Sequence, residues 1–500
     1  GKFHPFHQEI DDGFDTVEWC ARQPWSNGRV GMYGISYLGA TQWLAAASQA
    51  PNLQCIFPGL TGSDYYDGWT YRGGAFELGF NLTWAALLLG LPEVPRLGLE
   101  AAEMQAAMGA LAPVAGNPFP ALNHLPIADA PPFANAKVAN YYREWLDHPT
   151  RDEYWEPVTI ERAHPRIHTP AYNLGGWYDL FIRGTLRNYS GMKANGATAV
   201  AREGQKLIVG PWSHGATLTA MVGSRVFGAS SQVLLEDLHM RWFDRWLKDR
   251  DTGIDAEPAV RVFTMGVNRW DTYSDWPPPE AKQTRYYLHS NGSAATVHGD
   301  GVLSTEGPGA ERPDNFVYDP LNPCPTVGGA LFPYPLEVPP GPFDQEEVER
   351  RPDVLCYTTA PLDRDIQVTG TVDVTLWVTS SAPDTDFTAK LVDVFPDGTA
   401  INRRGGIIRG GCGGGFERGE PLQAGVPAEV RIDLAGTSNV FEKGHRIRLE
   451  VSSSNFPRFD RNTNTGANIA TDRDIQLAVN TVFHDERRPS WMTLPVVGES

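Results

Sequence analysis

The chain opens on a helical alternation of apolar and polar positions. In HQEIDDGFDTVEWCAR, residues 7–22, Ile10, Phe14, Val17 and Ala21 fall on one face. A turn at Ser26-Asn27-Gly28 follows, then a strand-like run over 30–33, the tripeptide Gly34-Ile35-Ser36, and a helix of small residues over 38–47. Helix, turn, strand, sharp turn, helix is the grammar of a doubly wound α/β sheet.

From residue 63 to 165 the pattern turns helical. Segments 78–89, 99–112 and 133–146 read as helices joined by Pro-rich connections such as Ala130-Pro131-Pro132, which predicts a helical cap inserted into the sheet domain. Strand signals resume at 169–174 and 206–209, and a helix is expected over 232–248. Beyond about residue 280, short alternating stretches at 368–378, 387–394, 428–434 and 445–451 indicate an antiparallel sandwich of jelly-roll type. The expected domains are 1–62 and 166–280 for the sheet, 63–165 for the cap and 281–500 for the β-sandwich. The glycine-rich patch at 409–415, RGGCGGG, reads as a flexible loop.

Composition narrows the function. A length of 500 residues calls for two or three cores, and 51 Gly with 40 Pro favours many turns. A net charge of −18 argues against nucleic acid or an anionic membrane surface as partner. No apolar run is long enough to predict a membrane span. Five scattered cysteines without a C-x-x-C pair suggest neither a disulfide framework nor a metal site, and they lean toward a cytoplasmic location. The compartment is otherwise unassigned, and a homodimer stays open.

Three positions then stand out. Ser36 lies between a strand and a helix, flanked by glycines where the two backbones converge, in the pattern G-x-S-x-x-G. His214 follows Leu207-Ile208-Val209 and a Gly210-Pro211 break. Asp179 follows a comparable strand and Gly175-Gly176-Trp177-Tyr178. Any one of them alone is an ordinary turn or cap residue. Together they sit past the C-terminal ends of predicted strands in the order Ser, Asp, His, which is that of α/β-hydrolases. A serine hydroxyl needs such a base, and the base needs an orienting carboxylate.

The segments Gly31-Met32-Tyr33-Gly34-Ile35-Ser36-Tyr37-Leu38-Gly39, Gly176-Trp177-Tyr178-Asp179 and Gly210-Pro211-Trp212-Ser213-His214 resemble the CocE/NonD hydrolases, which group with X-Pro dipeptidyl-peptidases and α-amino-ester hydrolases. The likeness continues through DFTAKLVD (386–393), FPDG (395–398) and VSSSNFP (451–457). It implies an α/β-hydrolase domain with a helical cap and a C-terminal jelly roll. It further implies Ser36 as nucleophile, His214 as general base and acid, Asp179 as its partner, and the Tyr37 backbone N–H as an oxyanion donor. Trp69, Trp84 and Phe181 match positions that hold an aromatic acyl group. No metal or organic cofactor is implied.

Family members also carry earlier strands and a tyrosine that completes the oxyanion hole. The resemblance therefore leads to the expectation that this chain is a fragment whose N-terminal strands are missing and whose oxyanion hole is half built. The expected activity is hydrolysis of a small ester or amide through an acyl-enzyme. Its rival within the same chemistry is X-Pro dipeptidyl-peptidase or α-amino-ester hydrolase action, which needs carboxylates for a substrate ammonium; Asp64, Asp67 and Glu77 are the candidates. A rival of another class is a carbohydrate-binding or inactive fragment.

Overall fold

The computed structural model describes residues 3–417 and 421–498. The strand expected near residue 30 runs Val30–Ile35 and lies at one edge of a six-stranded sheet. Leu53–Gly59, Tyr172–Tyr178, Lys206–Ser213 and Val260–Thr264 follow it in chain order, all parallel. Arg269–Tyr273 then closes the far edge as the antiparallel arm of a hairpin.

Parallel neighbours need crossovers, and helices Tyr37–Ala47, Ile182–Asn195 and Leu235–Lys248 lie among them. With helices packed on both faces, the inner strands lose their alternation. Every residue of Tyr172–Tyr178 and of Lys206–Ser213 is buried. Because the strands run parallel, the ends of Val30–Ile35, Tyr172–Tyr178 and Lys206–Ser213 share one rim; the register pairs Ile35 with Gly59, Gly59 with Leu174, and Tyr178 with Ser213.

The cap occupies the long connection between Gly59 and Tyr172, and it departs from the expected helices in two places. The helix read over 78–89 is an α-helix only over Leu78–Thr83 and widens into a π-helical turn over Trp84–Gly90. A side chain at residue 90 would approach the Ala85 carbonyl to 2.8 Å, so glycine is what lets the wide turn close. The helix read over 133–146 begins only at Asn140 and ends at Asp147, because Pro131–Phe133 forms a separate 3₁₀ turn and Ala139 takes a left-handed φ of 45°.

Among the described residues, eleven strands from Lys282–His289 to Trp491–Val497 build the C-terminal domain, nearly all antiparallel. They fold over a core in which Leu376, Phe387, Ile432, Leu449 and Met492 are fully buried. This is the jelly-roll sandwich that the alternating pattern predicts. The patch at 409–415 is a loop only in its second half. Arg409 ends the strand Ala400–Arg409, Gly410–Cys412 forms a packed 3₁₀ turn, and a Cβ on Gly410 would meet Leu422 at 2.5 Å. Gly410 serves close packing, whereas Gly413 and Gly414 are exposed turn residues, and a Cβ on Gly414 would meet nothing within 4 Å. All five cysteines are free thiols, and among the described residues no helix is long and apolar enough to cross a membrane.

Candidate active site

The rim of the sheet is where the local backbone is under strain. Ser36 adopts φ 62° and ψ −124°, a conformation that a residue with a side chain occupies only when its surroundings impose it. Two glycines impose it here. A Cβ on Gly34 would lie 2.6 Å from the Leu38 Cβ, and one on Gly39 would lie 2.7 Å from the Gly59 carbonyl. Strand and helix can therefore converge on the serine from both sides. The Ser36 N–H donates to the Gly59 carbonyl at 2.9 Å, and its own carbonyl accepts from the Gly39 and Ala40 N–H groups at 2.9 and 3.0 Å. Tyr37 is the first residue of the following helix, so its N–H has no carbonyl one turn back to bond.

Two neighbouring strand ends supply the partners. His214 comes directly after Lys206–Ser213, and its Nε2 lies 2.9 Å from the Ser36 Oγ. Its Nδ1 lies 2.7 Å from Asp179 Oδ1. Asp179 follows Tyr172–Tyr178 and is fully buried; its second oxygen accepts the Phe181 N–H at 3.1 Å. Gly176 lets the two strands close up below this pair, since a Cβ there would fall 2.5 Å from the Trp212 carbonyl. The result is an unbroken line of hydrogen bonds from a half-buried hydroxyl to a buried carboxylate. Such a line can move a proton off the serine and stabilise the imidazolium that forms.

Aromatic rings pack beside it. Trp69 stacks on Phe181 at 4.0 Å, Trp84 lies 5.5 Å from Trp69, and Phe181 sits edge-on to His214 at 5.4 Å. All three positions expected to line an acyl pocket are thus brought together next to the histidine. Four further rings belong to the same cluster and carry no sequence signal of their own: Phe6, Tyr65, Phe80 and Phe332. Phe332 comes from a loop of the C-terminal domain and lies 5.5 Å from His214 and 4.9 Å from Phe80. Phe6 stacks on Tyr65 at 4.0 Å and on Tyr37 at 4.5 Å.

The carboxylates considered for an ammonium group are all engaged by arginines. Asp64 pairs with Arg151, and Asp67 with Arg183 at 2.7 Å and Arg187 at 3.5 Å. Glu77 lies between Arg72 at 3.1 Å and Arg458 at 3.5 Å. Burial alone would raise the Asp67 carboxyl, yet Arg183 and Arg187 hold it below the usual carboxylate range. Among the described residues no group of three or more His, Cys, Asp or Glu is arranged to hold a metal ion.

A hydroxyl strained onto a strand–helix elbow and relayed to a buried carboxylate defines a class: the chain is a serine hydrolase with the α/β-hydrolase fold. Comparison with known proteins carries this further. Residues 1–216 match the family model of the X-Pro dipeptidyl-peptidase (S15 family), and residues 252–493 match that of the X-Pro dipeptidyl-peptidase C-terminal non-catalytic domain. The chain is 39% identical to the cocaine esterase of Rhodococcus sp. (strain MB1 Bresler) over 503 aligned positions, which cover 99% of this chain and 86% of that protein. An α-amino acid ester hydrolase of known structure is 26% identical with a TM-score of 0.77, covering 98% of this chain and 80% of that one. A CocE/NonD family hydrolase from Staphylococcus aureus shares the fold at 18% identity and a TM-score of 0.68, over all of this chain and 77% of that one. The chain belongs to the CocE/NonD family of hydrolases.

Proposed function

We propose that this esterase works through an acyl-enzyme on Ser36 and takes a compact apolar acyl group. The observation that carries the reading is the relay Ser36 Oγ–His214 Nε2–Asp179 at 2.9 and 2.7 Å, set beside the Trp69–Phe181 stack. His214 Nε2 takes the proton from Ser36 as Oγ bonds the ester carbonyl carbon, and the carbonyl electron pair moves onto oxygen. The Tyr37 N–H donates to that oxyanion. Collapse of the intermediate breaks the bond to the alcohol, which leaves with the proton from His214. Water then attacks the acyl-enzyme by the same route, releasing the acid and restoring the serine.

Ester cleavage is favoured over peptidase action because Asp64, Asp67 and Glu77 are each committed to an arginine, which leaves no free carboxylate among those three for a substrate ammonium. Steady-state rates on p-nitrophenyl butyrate and on Gly-Pro-p-nitroanilide test both parts. The reading expects turnover of the butyrate that Ser36→Ala abolishes, and little or none of the anilide. Faster cleavage of the anilide, or an active Ser36→Ala variant, would overturn it.

A further inference from the structure

One ring of the cluster belongs to the strap before the first helix. Phe6 is 4% exposed and lies against four rings. Tyr65 and Tyr37 stack on it at 4.0 and 4.5 Å, Trp69 meets it edge-on at 4.9 Å, and Trp84 lies parallel at 6.1 Å. Tyr37 is the neighbour of Ser36, and Trp69 is the ring stacked on Phe181. Phe6 thus fills the side of the chamber between the nucleophile elbow and the tryptophans.

Its backbone is out of the ordinary. Phe6 has φ 72°, and a bulky residue with a positive φ is a true outlier. The surroundings hold it there. Its N–H donates to the Tyr37 hydroxyl at 3.1 Å, which in turn donates to Glu9 at 2.7 Å. Two residues earlier, His4 is bonded to Glu144 at 2.7 Å and to the Tyr154 hydroxyl at 3.0 Å, both in the cap. The strap is pinned at both ends of a strained turn whose effect is to drive one phenyl ring into an aromatic chamber.

We propose that Phe6 sets the size of the acyl group: its ring occupies the position an aromatic acyl group would take, so short acyl groups are accepted and benzoyl-sized ones compete with it. The inference rests on the reading of the chamber as an acyl site. Removing the ring would leave an apolar cavity of about the dimensions of a benzene ring, and apolar cavities of that size bind benzene-like ligands.

The test compares kcat/KM for p-nitrophenyl benzoate and p-nitrophenyl acetate in the wild type and in Phe6→Ala. Phe6→Gly serves as the second variant, since glycine suits φ 72° and relieves the strain that could hinder folding of the first. The benzoate-to-acetate ratio is expected to rise tenfold or more in whichever variant folds. A smaller change, or a fall, overturns the proposal. Benzoic acid titrated into Ser36→Ala and into Ser36→Ala/Phe6→Gly gives a readout independent of turnover: affinity should rise tenfold or more in the double variant, and equal affinities overturn the proposal. Failure of the acyl-enzyme reading itself would look different, as wild-type hydrolysis of the acetate that survives Ser36→Ala.

Discussion

Asp179 is held by both of its oxygens, one on the His214 Nδ1 side and the other on the Phe181 N–H. The second contact dictates what an amide would do in its place. In Asp179→Asn the carbonyl oxygen turns to the Phe181 N–H, so the NH₂ faces His214 Nδ1. That nitrogen must then be an acceptor, the proton sits on Nε2, and Nε2 can no longer take the proton of Ser36. The variant should fold normally and lose about 10⁴ in kcat with little change in KM; stopped-flow ester hydrolysis and a melting curve check both halves. Ser36, Asp179 and His214 are legible in the sequence because each is announced by a strand and by glycines that the geometry requires, Gly34 and Gly39 for the serine and Gly176 for the strand pair. Phe6 and Phe332 are not, since nothing local to either residue reveals that the fold carries it to the same ring cluster from distant segments of the chain.

Among the elements, the strap ahead of the first helix is the one whose stability should depend on pH. His7 is half-buried against His4, Glu144 and the ring of Tyr154. Burial and the neighbouring His4 push its imidazole down to about 4, and Glu144 offsets this only in part. Its ordinary value is 6.5, so a released strap binds a proton at higher pH than the seated one. The contribution is complete above about pH 6.5 and is lost progressively as the pH falls toward 4. Between those values the melting temperature of the wild type should fall more steeply than that of His7→Gln, as differential scanning calorimetry can measure; parallel slopes would contradict it. The cap shows where reading elements from pattern fails. Residues 78–89 have the apolar spacing of one helix, but spacing does not reveal that Gly90 admits the Ala85 carbonyl and lets the last turns widen. Likewise the apolar positions over 133–146 continue through a left-handed Ala139 that breaks the helix.

At the scale of the whole molecule, one arginine joins three regions. Arg183, on the helix that follows Asp179, pairs with Asp67 of the cap at 2.7 Å and with Asp433 of the β-sandwich at 2.7 Å. Arg404 of the sandwich adds bonds to the carbonyls of Trp177 and Leu434. Removing Arg183 leaves Asp67 buried with the Gly73 N–H and the more distant Arg187, so Arg183→Ala should cost about 3–5 kcal/mol in urea unfolding. A loss under 1 kcal/mol would show that the Arg183 bridge adds little to holding the regions together. The three-layer order of sheet, cap and sandwich is visible in the changing period of the apolar pattern. The contacts between the layers are not, because an arginine's partners on distant segments leave no periodic trace. The proposed mechanism turns on a covalent bond to one hydroxyl. Mass spectrometry of the protein treated with a fluorophosphonate, followed by peptide mapping, tests it most directly. One adduct per chain is expected, on the peptide containing Ser36, absent in Ser36→Ala and slowed by orders of magnitude in His214→Ala; labelling that persists in Ser36→Ala, or falls on another residue, would contradict it.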